Sequence, residues 1–209
     1  MKKPKKLERA TQMEQIPWKW VAAVLPYYYG TNRTACQVHY IDGKYEVVYA
    51  SCERTMEHWM KYFSTTLKAV KEVSGQLTDS KRRLPLIVNE SKGIVPVKAR
   101  EDQGGSGGTL GYFDMDAIDY IVEVENHGTI LYFHEKHKGI CIPQKKETVL
   151  LQWRRCKDMQ RKYVMQRREQ QLLEEKLLAE SRKSRGLPVE ELEEDAWLKK
   201  LSSSCISTV

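Results

Sequence analysis

Long apolar runs are missing from this chain. Nowhere do eighteen or more apolar residues follow one another, and the basic start from Met1 to Arg9 has no apolar stretch behind it. A membrane-spanning helix needs about twenty such residues, and a secretory leader needs an apolar core of about seven or more. The expectation is a cytoplasmic protein, neither secreted nor membrane-spanning. Cysteine is sparse and unpaired in pattern: Cys36, Cys52, Cys141, Cys156 and Cys205 are five, scattered, and never in a C-x-x-C pair. That spacing argues against both a disulfide framework and a ribbon-type zinc site, and reduced thiols are the simpler account. A phosphate cradle is missing too. Gly104-Gly105-Ser106-Gly107-Gly108 is followed by neither Gly-Lys-Ser/Thr nor a G-x-G-x-x-G turn into a helix, so it reads as a flexible connector.

What is present suits one core with two tails. With 209 residues and 41% hydrophobic content, one sound core is affordable but hardly two full domains. The boundaries drawn are a basic tail over 1–15, an α+β core over 16–156 and a C-terminal helical extension with an acidic tail over 157–209. Lys2, Lys3, Lys5, Lys6 and Arg9 form a charge block that reads as a solvated tail.

The segment Trp18 to Leu25 has strand character stopped by Pro26, with Tyr27 to Asn32 as a turn. A hairpin follows, with arms Ala35 to Ile41 and Tyr45 to Tyr49 joined at Asp42-Gly43. Between Glu53 and Val73 the period changes, with Met56, Trp59, Met60, Phe63, Leu67 and Val70 at three and four. This predicts one amphipathic helix whose stripe is core, closed by Gly75. Strands are expected at Leu84 to Val88 and Ile94 to Val97. A three-strand meander follows: Ile118 to Val124, Thr129 to Phe133 and Gly139 to Ile142. Helical periodicity returns near Thr148 and continues through Arg185, with Leu172, Leu173, Leu177 and Leu178 as a short contact stripe in its polar second half. After Pro188, an acidic segment with Leu192, Trp197 and Leu201 reads as a short amphipathic helix suited to a protein partner, or as a solvated terminus.

Candidate chemistry is thin. His134, His137 and Cys141 are borderline ligands for zinc, but no fourth ligand stands at standard spacing, and an exposed turn is the default. Cys52 and His58 are the nearest approach to a nucleophile and base at a helix start, against which stands the ordinary burial of a free cysteine. The expectation is therefore no enzyme, no metal and no cofactor. The cationic residues form the more coherent set. Lys+Arg 35 against Asp+Glu 28 leaves a formal charge of +7, a balance that favours polyanions. The candidate DNA-contacting residues are Lys81, Arg82 and Arg83 in a loop, Lys98 and Arg100 near the sheet, and Arg154, Arg155, Lys157, Arg161 and Lys162 on the helix, continued by Arg167 and Arg168. Trp153 and Tyr163 are interleaved with them. The opposing reading is a solvated helix face balanced by Glu169, Glu174 and Glu175.

Several local sequences carry a resemblance. They are Val24-Leu25-Pro26, Ser51-Cys52, Leu84-Pro85-Leu86-Ile87-Val88, Ile94-Val95-Pro96, Gly111-Tyr112-Phe113 leading to Ile118, Ile142-Pro143, and Gln152 with Arg154 and Arg155. In this order, over roughly Val21 to Cys156, the chain resembles the competence transcription factor family, the ComK-type regulators. It differs from them at Met60 to Ser64, where that family has a glycine- and serine-rich stretch ending in Gly-Arg, and at Val95, where it has an aromatic residue. The resemblance implies a DNA-binding regulator that contacts A·T-rich duplex DNA, partly through the minor groove, as an oligomer. A second stretch, Tyr112 to Glu123 followed by a hairpin, is similar to the central part of LytTR-type DNA-binding domains, and that similarity runs from about Leu84 to Trp153. It too implies DNA, although a basic helix stands where the second half of such a domain is expected. The functional expectation is a transcriptional regulator that binds double-stranded DNA. Its rival is a non-catalytic adaptor docking through the C-terminal helix.

Overall fold

A computed structural model describes residues 12–29, 33–78, 83–100, 110–125, 128–134 and 136–184. Two compact units divide between Val164 and Met165. In the first, a turn of 3-10 helix at Trp18–Trp20 leads into β1 (Val21–Tyr29), which pairs antiparallel with β2 (Arg33–Tyr40), and β2 with β3 (Tyr45–Val48). Helices α1 (Cys52–Tyr62) and α2 (Leu67–Gln76) follow, then β4 (Leu86–Ile87), β5 (Gly93–Lys98) and β6 (Leu110–Asp114). These six strands form one antiparallel sheet in the order β3-β2-β1-β6-β5-β4. A second sheet is the meander β7 (Ile118–Val124), β8 (Gly128–Phe133) and β9 (Lys136–Ile142). Helix α3 (Lys146–Ser184) closes the described chain. The α+β class with a long C-terminal helix is thus the observed one.

Four of the six strands, β1, β4, β5 and β6, contribute to cores on both faces of the large sheet, whereas β2 and β3 contribute to one. On one side, Val24, Cys36, Val38 and Ile94 pack under Met56, Trp59, Met60, Leu67 and Val70 from α1 and α2. On the other, Ala23, Leu25, Val95, Val97 and Phe113 meet Leu131, Phe133 and Ile142 of the small sheet, with Val149, Cys156 and Met159 from the start of α3. Neighbouring strand residues therefore belong to opposite cores, as the two-residue period of a strand requires. A bulge between Val21 and Ala23 lets consecutive Ala22 and Ala23 serve the same core. Each fully buried large side chain here, Trp59 and Phe113 among them, contributes about 1.5–3 kcal/mol by leaving water.

Four sequence expectations are corrected. Strand β1 does not stop at Pro26 but runs through Tyr27 to Tyr29. Pairing with β6 is confined to Ala23 and Val24, so at Pro26 the strand has β2 alone as a neighbour, the edge condition that a residue without an N–H tolerates. The expected single helix is two. Phe63 and Ser64 close α1 through N–H groups donated to the Met60 and Lys61 carbonyls, Ser64 takes a left-handed φ of 56°, and the Thr66 hydroxyl accepts from Ala69 N–H to cap α2. Gly75 lies within α2 rather than ending it. Gly111-Tyr112-Phe113, to which the pattern assigned no strand, is the middle of β6, the strand joining the two halves of the large sheet. The hairpin, strands β7 to β9 and the start of α3 fall where the pattern put them, with Gly43 at φ 76° supplying the turn. Gly128 opens β8 at φ 96°, and a Cβ there would run into the Ile142 carbonyl.

His39 in β2 stacks on Tyr45 at 5.3 Å, and burial pulls its imidazole down from 6.5 to about 4. A depressed histidine contributes stability that is present above the unfolded value and lost as pH falls towards the folded one. The His39 component of stability, read by urea denaturation as the difference from a variant without the imidazole, is expected to be level above about pH 6.5 and to fall by about 2 kcal/mol on descending towards pH 4, discounted for partial exposure. The His39→Gln variant should lack this component of the slope.

Candidate nucleic-acid interface

Helix α3 begins where Gln144 anchors three elements. Its side-chain oxygen accepts from Lys98 N–H at 2.7 Å, and its carbonyl accepts from the Thr129 hydroxyl at 2.6 Å. The end of β5, the start of β8 and the entry to α3 are thereby held together by a buried side chain. From there Val149, Cys156 and Met159 face the core, with Trp153 and Tyr163 half-buried beside them. The 3.6-residue period then turns the remaining positions outward.

Arg154, Lys157 and Arg161 occupy that outer side, three and four residues apart, all exposed. With Leu150, Trp153 and Asp158 they line a shallow surface depression of about 460 Å³. Lys157 Nζ lies 3.1 Å from Asp116 Oδ1 and Arg161 lies 3.6 Å from Asp158. Among the described residues Arg154 has no ion pair. Both pairs are solvent-exposed and are worth well under about 1 kcal/mol each, so they yield readily to a stronger anion. Arg155 and Lys162, one heptad apart, are turned to the flank. Arg155 donates to the Thr78 hydroxyl at 3.1 Å and Lys162 Nζ to the Leu77 carbonyl at 3.5 Å. These bonds hold the end of α2 against α3, next to the segment that leads to Arg83.

The remaining candidates are divided. Arg83 is exposed, three residues before β4, with a left-handed φ of 47°. Lys81 and Arg82 lie outside the described residues. Lys98 ends β5, and Arg100 lies beyond it in register with Ile94 on the α1 side, since Val95, Val97 and Ala99 face the other core. The guanidinium of Arg100 acts on the Cys52 thiol at the start of α1. The structure therefore places Arg100 with α1 and the α3 cations across the sheet from it, rather than on one continuous surface. Arg167 and Arg168 are exposed residues of the second unit, over 165–184, as are Leu172, Leu173, Leu177 and Leu178.

The weaker candidates are also located. His134 Nε2 donates to the Asp116 carbonyl at 2.8 Å, with Nδ1 at 3.3 Å from Asp119. Cys141 is exposed, the side chain of His137 lies outside the described residues, and no metal-holding group occurs among those described. His58 does not meet Cys52 but stacks near Trp18 at 6.5 Å. Cys52 meets Cys36 instead, a neighbour sixteen positions away that no local pattern announced. The acidic segment after Pro188 and the Gly104 to Gly108 loop lie outside the described residues. Among those described, no helix is long and apolar enough to cross a membrane. Comparison with protein-family models, curated proteins and solved structures finds no match to this chain.

Replacing Gln144 by Leu removes the acceptor of Lys98 N–H at a buried site. Chemical denaturation should show a loss of about 1–3 kcal/mol, accompanied by faster amide exchange at Lys98 and over the first turn of α3.

Proposed function

We propose that this protein is a cytoplasmic transcriptional regulator of the competence-factor type that binds duplex DNA through the outer side of α3. The observation that carries the proposal is the exposed row Arg154, Lys157 and Arg161, set on a helix whose opposite side is fixed in the core. Phosphates are neutralised by cations presented at helical spacing from a rigid element, and weak surface ion pairs such as Lys157 with Asp116 are readily exchanged for them. Arg155 and Lys162 support the row from the flank by bonding to the end of α2. The motif resemblance adds the expectation of A·T-rich sites and of an oligomer on DNA. Lys98 and Arg100 lie on the far side of the sheet and enter this reading only through a second DNA segment or a second protomer.

A second reading has its own observation. Leu172, Leu173, Leu177 and Leu178 are all exposed in the 165–184 unit, which suits an adaptor docking through its C-terminal helix. Fluorescence anisotropy with labelled A·T-rich and G·C-rich duplexes at several salt concentrations distinguishes the two. For DNA binding, the logarithm of affinity falls by about 0.9 per phosphate contact for each logarithmic unit of salt, and Arg154→Ala/Arg161→Ala lowers that slope by about two contacts. An adaptor shows no binding to either duplex at low salt.

A further inference from the structure

Three free thiols of the first unit are buried or half-buried, and two of them touch. Cys36 lies fully buried in β2, with its Sγ 2.9 Å from the Thr55 hydroxyl oxygen. Thr55 is one helical turn after Cys52 on α1, so the two side chains share a side of the helix and both face Cys36. Cys52 is the first residue of α1, capped by Ser51, whose hydroxyl accepts from Arg54 N–H at 3.2 Å. It is half-buried at the rim of the core that contains Cys36.

We propose that Cys36 and Cys52 form a peroxide-sensitive dithiol in which Cys52 is the thiol attacked by the oxidant and Cys36 is the buried partner that resolves it into a disulfide. The division of roles follows from access. Cys52, half-buried at the helix start, is the one of the two that a small oxidant can reach, although its bond to Cys36 and burial raise its thiol above the ordinary value and the Arg100 guanidinium only opposes that shift. Cys36 is closed to solvent but in contact with Cys52. The hydrogen bond between the thiols lowers the Cys36 thiol from its ordinary value, against burial, and raises that of Cys52, so Cys36 is the first of the pair to ionise and, as thiolate, takes the Cys52 proton during the attack.

With hydrogen peroxide as oxidant, the Cys52 sulfur attacks one peroxide oxygen, the O–O bond breaks, and the Cys52 proton passes to Cys36. The departing hydroxide takes a proton from solvent, leaving Cys52 as a sulfenic acid. Cys36 then attacks the Cys52 sulfur, the S–O bond breaks, and the hydroxide leaves with the Cys36 proton as a second water. The two sulfurs have each lost one electron and the peroxide has taken two. The resulting bond staples the middle of β2 to the start of α1.

The test uses the fully reduced, full-length chain, exposed to hydrogen peroxide, quenched, alkylated after denaturation, digested and read by mass spectrometry. The expected result is loss of alkylation at both Cys36 and Cys52 and recovery of their peptides as one species, lighter than the sum by two hydrogen atoms. In Cys36→Ala, Cys52 is expected to accumulate a dimedone-trapped sulfenic acid, and in Cys52→Ser, Cys36 stays fully alkylatable. The exposed Cys141 serves as an internal control. If Cys141 is oxidised while Cys36 and Cys52 alkylate as before, or if Cys52 is recovered joined to any other cysteine, the proposal is overturned. Should Cys36→Ala fail to fold, the wild-type crosslink and Cys52→Ser, which alters only a half-buried helix start, decide the matter.

Discussion

A sheet with strands buried on both faces must find two separate coverings in its own sequence, and the first unit of this protein is organised around that constraint. One covering is the helix pair α1 and α2, inserted between β3 and β4. The other is the small meander with the first turns of α3. Strands β1, β4 and β5 therefore present apolar residues at successive positions and not only at alternate ones, as Val24 and Leu25 or Ile94 and Val95 show. The constraint also places the polar contacts. Ser74 Oγ, buried in α2, accepts from Ile87 N–H at 2.8 Å, and Lys92 pairs with the buried Asp114 at the end of β6. Burial raises the Asp114 carboxyl above its usual value while the Lys92 ammonium opposes that shift. The first contact ties a covering helix to the sheet and the second ties the β4–β5 turn to β6, at sites where an unpaired atom would be costly.

The same arrangement explains why α3 offers a rigid cationic row. Its inner residues are shared with the core, so its rotation about its own axis is set by Val149, Cys156 and Met159, and the outward positions follow from helical geometry alone. Arg155 and Lys162 then take up carbonyl and hydroxyl oxygens at the end of α2, which leaves Arg154, Lys157 and Arg161 as the presented set. Position on the helix divides structural cations from presented ones, although the residue types are the same.

Much of this was legible in the sequence where local rules govern. The Asp42-Gly43 hairpin, the stripe of Met56, Trp59 and Met60, and the meander from Ile118 to Ile142 depend on near neighbours, and they appear in the structure close to their expected bounds. What escaped depends on partners far away. Pro26 is tolerated because β6 pairs with β1 for two residues only, and Gly111 to Phe113 form a central strand because residues of β1 wait for them. The helix break at Ser64 is carried by a left-handed residue and a threonine cap, which the continuous three-and-four spacing of Phe63 and Leu67 concealed. For the interface, the α3 cations could be read from periodicity, whereas the separation of Arg100 from them, and its placement near Cys52, required the register of β5.

The junction of β1 with β6 has a temporal side. Ala23 pairs with Phe113 and Val24 with Tyr112, so about ninety residues of chain separate the partners. At the ordinary pace of translation, about 5–20 residues per second, the β1 to β3 hairpins wait several seconds on the ribosome with the β6 side of β1 unpaired. During that interval α1 can already cover one face, while the other face, destined for a meander not yet made, remains open. Such long-range closure makes for slow folding. Slower decoding ahead of β6 would lengthen the time for which that strand edge and apolar face stay open.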